Sequence, residues 1–497
     1  MSYRKENMRN RWVWTLILSL SALPAVWAQS DTQGQDQQPA TGAEQNQTAN
    51  PPASGQESAI PSASENPPIS GLDQPSLEPG AVTRSFLAPG AMISESADSN
   101  LTGNLGSGAT SPDVGGTTRA MGSLTLQRIW TRYETDLQYI GGGVFYEGVN
   151  RSANQIQEVE LAQRIKWRTG QLALRDSLTY LPEGAFGEGS YGGSGALQSG
   201  LAGLGQGMGG LSSGTGSGIG GTLSASQFGS LGEEPRLTNS AVADLVEAVN
   251  PRSSLTFAGS YGFVHFTDNN LGLIDSDQVA AQAGYDHQIN RTDQIALTYG
   301  FQDFHFPQIG GSSASTNTVH FVYGHRLNGR MDFIAGAGPQ FTRIESSQFP
   351  SSTRISASGN LKLRYRFSHA SMQLEYRHYN TNGSGYFLGA ASDVASLSAL
   401  RSLGRVWELN SDAGFASNKR LEPVGVVVPA TSDQYLFAGG AVHRHIGRHY
   451  RMFMSYQFNR FSFNSTVCDG TGDCGRISNR HVGTLGFEWY PRPVRLD

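Results

Sequence analysis

The chain has 497 residues, of which 38% are hydrophobic, 15% are charged and 62 are glycine. Soluble globular domains usually contain about 25% charged residues, so this composition argues against several packed soluble domains. The formal net charge is −5. A nucleic-acid partner is not expected, because surfaces that bind phosphate backbones are usually basic.

The first 28 residues have the pattern of an export signal. A basic segment at residues 4–11 precedes an apolar run from Trp12 to Leu23, and the small residues Val26 and Ala28 follow. This order predicts a signal peptide cleaved between Ala28 and Gln29. A membrane anchor is the alternative, although the apolar run is short for a transmembrane helix.

Two stretches of the chain have a biased composition, one before the predicted domain and one within it. Residues 29–83 are rich in Gln, Pro and Ser and contain no aromatic residue, which predicts a disordered periplasmic linker because little apolar surface can be buried. Residues 184–232 are glycine at more than a third of positions and predict a long flexible loop. Residues 84–491, which include the glycine-rich tract, form the predicted domain, and residues 492–497 form a short tail.

The predicted domain contains long runs in which apolar and polar residues alternate. In 360–367 the apolar residues occupy odd positions and Lys362, Arg364 and Arg366 occupy even ones. A second run at 371–379 repeats the alternation after a three-residue gap, so the two predict an antiparallel hairpin. A further alternating run lies at 157–168. Runs of this length exceed ordinary soluble strands and suit tilted strands that cross a bilayer.

Short and long connections alternate along the domain without a break. Short turns are predicted at 131–133, 169–171, 250–252, 290–292, 328–330, 368–370, 403–405 and 446–448, with longer Gly- and Ser-rich loops between them. Outer-membrane barrels have short periplasmic turns and longer external loops. The pattern gives 18 strands if Phe86–Asp98 and Asp393–Leu403 are both strands, and 16 strands remain an alternative.

These features resemble the porin-like families of outer-membrane β-barrels in diderm bacteria. The resemblance covers residues 84–491 and depends on the hairpin alternation, the short turns NPR, NRT, NGR and IGR, and the last run RHVGTLGFEWY. It implies an all-β, antiparallel, up-and-down transmembrane barrel in the bacterial outer membrane. Its implied partners are outer-membrane lipid and the barrel-assembly machinery, and a homo-oligomer is an open alternative. Many such barrels end on an aromatic residue, whereas here Tyr490 is followed by PRPVRLD.

The two cysteines predict a small covalent ring in one loop. Cys468 and Cys474 are separated by five residues, mostly Gly and Asp, and an exported protein resides in an oxidising compartment. A disulfide is therefore expected. A metal site is the weaker alternative because two thiols without a further Cys or His pair do not complete a zinc site.

No catalytic, metal or cofactor site is expected from the motifs. The single G-x-S-x-G match places Ser212 in the glycine-rich tract rather than between a strand and a helix. His443, His445 and His449 cluster around one turn but have no evident further ligand. The sequence therefore favours a protein that is not an enzyme, with an outer-membrane barrel protease or lipase as the open alternative.

The side of each strand opposite the apolar residues predicts a polar pore. If the apolar residues face lipid, the charged residues face the lumen, since charge at the membrane midplane is costly. The candidate pore-lining residues are Arg164, Lys166, Arg168, Arg175, Lys362, Arg364, Arg366, Arg377, Glu158, Glu160 and Glu375. The alternative is that these charges neutralise one another in ion pairs.

Aromatic residues close to strand ends predict interfacial girdles. They are Trp130, Tyr133, Trp167, Tyr180, Phe266, Phe306, Tyr379, Phe461, Trp489 and Tyr490. Together these patterns predict a channel for passive diffusion of small polar solutes with a mild preference for anions. Two alternatives are a gated or plugged barrel that serves exopolysaccharide export or surface binding, and a secreted soluble β-rich adhesin.

Overall fold

A computed structural model describes most of the predicted domain. The described residues are 85–100, 114–148, 153–181, 235–267, 274–346, 350–381, 383, 387–421, 432–464 and 477–496. The predicted cleavage site at Ala28 and Gln29, the linker at 29–83, the glycine-rich tract at 184–232, and Cys468 and Cys474 all lie outside these residues. The disulfide therefore stays a prediction.

The described chain consists of 18 long strands and one two-residue strand. The long strands contain 12 to 17 residues. Among the described residues no helix is long and apolar enough to cross a membrane. The strands are β1 (Phe86–Asp98), β2 (Gly115–Ile129), β3 (Tyr133–Glu147), β4 (Asn154–Lys166), β5 (Gly170–Leu181), β6 (Arg236–Asn250), β7 (Ser253–Phe266), β8 (Ser276–Gln288), β9 (Asp293–Phe306), β10 (Ser312–Asn328), β11 (Met331–Glu345), β12 (Ser352–Arg366), β13 (Ala370–Thr381), β14 (Ala390–Leu403), β15 (Trp407–Arg420), β16 (Ser432–Ile446), β17 (Tyr450–Asn464), β18 (Ile477–Trp489) and β19 (Val494–Arg495).

The strands form one closed antiparallel sheet. Each long strand pairs with the next in the sequence, and β18 returns to pair with β1 from Ala91↔Trp489 to Asp98↔Val482. This closure confirms the prediction of an up-and-down barrel and the count of 18 rather than 16. Strand β1 has the predicted bounds, and β14 is the strand required by the count, beginning three residues before the predicted start.

The carboxyl-terminal tail continues the closing ladder. After β18 the chain passes Pro491 and Pro493, which have no N–H to donate, and β19 then pairs with β1 at Phe86↔Arg495 and Leu87↔Val494. The start of β1 is therefore paired on both sides, because β2 covers its other edge along the whole strand.

Three of the short turns are fixed by an asparagine side chain. The Oδ1 atoms of Asn250, Asn290 and Asn328 each accept a hydrogen bond from the backbone N–H two residues later, at 2.9, 2.7 and 2.8 Å. This Asx arrangement is the physical reason that asparagine favours turns. The motifs NPR, NRT and NGR therefore encode the reversal of direction locally.

Alternate residues of each strand point to opposite sides of the barrel wall. On β13, Leu374 and Tyr376 have 38% and 42% of their surface exposed on the outside. Glu375 and Arg377 face the inside and are only 5% and 6% exposed. The same alternation gives the outer surface its apolar character, with exposed residues including Ile93, Leu124, Phe145, Leu178, Phe257, Leu297, Phe321, Met454 and Leu485.

The aromatic girdle at the short-turn end contains only some of the predicted residues. Trp130, Tyr133 and Trp489 are exposed on the outside there, joined by Trp407 and Tyr450. At the long-loop end the prediction of an outward-facing girdle was wrong for Phe266, Phe306 and Phe461, whose exposed fractions are 3%, 1% and 0%. Each occupies a position whose alternation directs it inward, because proximity to a strand end does not determine which face a residue takes.

Candidate functional site: the inner face of the barrel

The inner face carries a cluster of opposite charges where β3 and β4 approach the short turns. Glu134 of β3 lies 3.4 Å from the Arg164 guanidinium and 3.5 Å from the Lys166 ammonium, both on β4. Glu158 and Glu160 follow the same face of β4, and Asp136 lies two residues from Glu134 on β3. The basic residues predicted from the sequence are therefore accompanied by carboxylates on this part of the wall.

A second charged cluster spans β10 to β13. Asp332 of β11 lies 3.3 Å from Arg364 of β12 and 3.5 Å from Arg326 of β10. Arg377 and Glu375 of β13 form an ion pair at 2.5 Å, and Glu375 stands opposite Lys362 in the ladder. This cluster, with Arg366 added, contains five cations and two carboxylates.

The remaining pore-lining candidates lie closer to the rim or on β5. Arg175 is on β5, where the alternation from buried Ala173 directs it inward. Arg168 is exposed in the turn between β4 and β5 rather than in a strand, and Arg366 is the exposed last residue of β12. These two side chains therefore lie at the short-turn rim.

Further buried ion pairs of the inner face have partners that are distant in the sequence. The Arg451 Nε donates to Glu488 at 2.6 Å, joining β17 to β18. The Arg480 Nε donates to Asp98 at 2.7 Å, joining the last strand to the first. Sequence reasoning missed them because the partners are separated by 37 and 382 residues. The register of the β17–β18 hairpin places Arg451 opposite Glu488, and closure of the sheet between β18 and β1 brings Arg480 to Asp98.

The histidines near the β16–β17 turn lie in protein surroundings. His443 is fully buried on the inner face, and the His445 Nδ1 is 2.7 Å from the Tyr490 hydroxyl. Within the described ranges, no group of three or more His, Cys, Asp or Glu side chains could hold a metal ion.

These features define the class of the protein. A closed 18-stranded antiparallel barrel with an apolar outer surface, an aromatic girdle and a polar, ion-paired inner face is a transmembrane barrel of the bacterial outer membrane.

Comparisons with known proteins find only distant structural similarity. No protein-family model matches the sequence, and no curated protein matches it. A solved structure of OccK2 (OpdF) from Pseudomonas aeruginosa in complex with glucuronate is similar at a TM-score of 0.40 and 9% identity, covering 84% of this chain and 100% of that one. The outer membrane protein OpdK from P. aeruginosa gives 0.38 and 10%, covering 83% and 100%. The FrpB iron transporter from Neisseria meningitidis (F3-3 variant) gives 0.38 and 6%, covering 81% of each chain.

Proposed function

We propose that the protein is a channel for passive diffusion of small polar solutes across the outer membrane. The observation that carries the proposal is the closed 18-stranded wall with a polar, charged inner face. Barrels of 16 to 18 strands are wide enough for an aqueous channel, whereas 22-stranded outer-membrane transporters carry a plug in the lumen. The strand count therefore favours a channel over a plugged receptor.

The charges of the inner face support a mild preference for anions. The β10–β13 cluster has more cations than carboxylates, whereas the β3–β4 cluster has carboxylates beside each named cation. An excess of fixed positive charge along a confined water column raises the local anion concentration. Because most charges are paired, the preference is expected to be small.

The outer surface argues against a secreted soluble adhesin. Residues such as Phe321, Met454 and Leu485 are 57%, 62% and 54% exposed on the outside of the wall. A soluble protein rarely exposes a continuous apolar surface of this kind. A lipid environment buries it.

Conductance in planar bilayers tests the proposed function. The mature chain is refolded, its folded state is checked by heat-modifiable gel migration, and the current is recorded in symmetric and tenfold asymmetric salt. We expect stepwise conductance with a reversal potential displaced modestly toward that of the anion. A folded barrel that inserts into the bilayer without conductance would refute the proposal.

A further inference from the structure

The long-loop half of β12 has a strand neighbour on one side only. Pairing with β11 runs from Ile344↔Ser352 to Met331↔Tyr365. Pairing with β13 runs only from Gly359↔His378 to Arg366↔Ser371. The other edge of residues 352–358 pairs with no strand of the described chain.

Strand β13 is absent from that edge because its end lies inside the barrel. Asn380 lies on the same face of β13 as the outward-facing Leu374 and Tyr376. Its Nδ2 nevertheless donates to Thr342 Oγ1 at 2.7 Å and to Thr316 Oγ1 at 3.3 Å. Thr316 of β10 and Thr342 of β11 are buried on the inner face. The outer side of β13 therefore rests on the inner side of the wall at this point.

The ends of β14 and β15 follow β13 into the lumen. The ladders continue to Thr381↔Ala390 and Ala390↔Arg420, so the three strand ends form one piece of sheet. We call residues 379–381, 387–392 and 417–421 the lumenal flap. Its apolar residues pack in one buried cluster with the inner wall of β9 to β11; the members are Leu388, Ala391, Leu421, Phe304, Phe306, Ala314 and Ile344.

The free edge of β12 lies where the outer face of the wall changes from apolar to charged residues. Ile355 pairs with Phe341, the last apolar residue on the outer face of β11, and the next outward residue is Arg343, ion-paired to Glu345 at 2.8 Å. Open strand edges do not occur in contact with hydrocarbon, because unpaired backbone N–H and C=O groups are costly there; they occur where water can reach them. Within the described chain no strand covers residues 352–358 on this side, so the edge needs water at this level of the wall.

We propose that the gap between β12 and β13 is a lateral opening that joins the lumen to the outer leaflet. Residues 352–357 of β12 form one side of it. Its base lies at Ser358, whose hydroxyl is 2.6 Å from His320 Nε2, and at the first pair with β13, Gly359↔His378. This route goes beyond a channel along the barrel axis, because it admits solutes that arrive from the membrane.

The side chains of the free edge indicate an amphipathic solute with an anionic headgroup. Ile355 and Ala357 face outward and are exposed, Ile355 by 71%. Arg354 and Ser356 alternate with them toward the lumen, and the Arg354 side chain is exposed. An apolar outer rim suits an alkyl chain, and a cation on the inner side attracts an anionic headgroup.

Cysteine labelling in proteoliposomes tests the opening. Cys468 and Cys474 are first replaced by Ser, and Ser356→Cys is labelled either with dodecyl maleimide dissolved in the bilayer or with a water-soluble sulfonated maleimide. The matched control is Ser260→Cys on β7, which also faces inward but is paired with Val242 and Ala280 on both sides. The alkyl chain concentrates dodecyl maleimide in the bilayer. We therefore expect the ratio of its labelling rate to that of the sulfonated maleimide to be at least about tenfold higher at position 356 than at position 260.

A second position and a headgroup test complete the experiment. Arg354→Cys is expected to give the same rate ratio as Ser356→Cys, so the opening can still be tested if one of the two variants fails to fold. With Ser356→Cys, an anionic alkyl maleimide should react about two- to fivefold faster than a neutral one, and adding Arg354→Gln should remove that preference. Adding Arg343→Gln, on the outer face of β11, should leave the preference for the anionic reagent unchanged.

The results that overturn the proposal are specific. Equal rate ratios at positions 356, 354 and 260 would show that the wall is closed to membrane solutes. A headgroup preference that survives Arg354→Gln would refute the assigned chemistry. Neither readout depends on ion conductance, so a barrel without conductance would refute the proposed channel and leave this test intact.

Discussion

Neutralising three cations on β12 should make the pore more permeable to cations. The variant replaces Lys362, Arg364 and Arg366 by Gln, which removes three positive charges from the cluster at β10 to β13. Asp332 keeps Arg326 at 3.5 Å after the change, and Glu375 keeps Arg377 at 2.5 Å. Neither carboxylate is therefore left without a cationic neighbour, and we expect the barrel to fold.

The size of the effect follows from screened Coulomb interactions. A unit charge about 10 Å from a passing ion contributes about 0.4 kcal/mol in water, or about 0.15 kcal/mol after screening at 0.1 M salt. Three such charges contribute about 0.45 kcal/mol, with opposite signs for an anion and a cation. The ratio of anion to cation permeability should therefore fall by about fourfold.

The assay is the reversal potential in a planar bilayer under a salt gradient. The matched control removes three positive charges that face outward, Arg128, Arg343 and Arg444, by replacement with Gln. We expect the control to leave the reversal potential close to that of the original chain. At 1 M salt the Debye length falls to about 3 Å, and the difference between the variants should nearly vanish.

Two results would refute the reasoning. If the β12 variant conducts with unchanged selectivity, these residues do not act on the ion path. If the outward control shifts the reversal potential as much as the β12 variant, the effect comes from the net charge of the protein rather than from the pore lining.

Two further predictions concern the stability of the barrel. Asp98→Asn should lower the free energy of unfolding by about 3 kcal/mol because it leaves Arg480 buried without its carboxylate. Glu95→Gln, on the exposed face of the same strand, should change the free energy of unfolding by less than about 0.5 kcal/mol. Urea titration followed by gel migration measures both variants, and equal midpoints would contradict the assignment of a buried Asp98–Arg480 ion pair. Cys468 and Cys474 should be oxidised in the mature protein, and replacing both by Ser should leave the barrel folded because so small a ring constrains the chain only locally; thiol titration of the native protein checks the first point and gel migration the second.

Most of the wall could be predicted from the sequence because its signals are local. The alternation in 360–377 determines which residues share a face, since successive side chains in a strand point to opposite sides. The asparagine turns reverse the chain through hydrogen bonds that span two residues. Connection lengths then limited the strand count to 16 or 18, and 18 required the first strand at Phe86–Asp98.

The sequence by itself thus determined the strands, their turns and the polar or apolar character of each face. Which charges meet was decided only by the tertiary structure: the register of the β11–β12 hairpin places Asp332 beside Arg364, and closure of the sheet places Asp98 beside Arg480. The inward course of β13 was likewise decided only by tertiary packing, because Asn380 and Leu388 have no local feature that directs them to the inner wall. Alternation specifies two faces of a strand, but it does not specify whether the neighbour on a face is lipid, water or another part of the sheet.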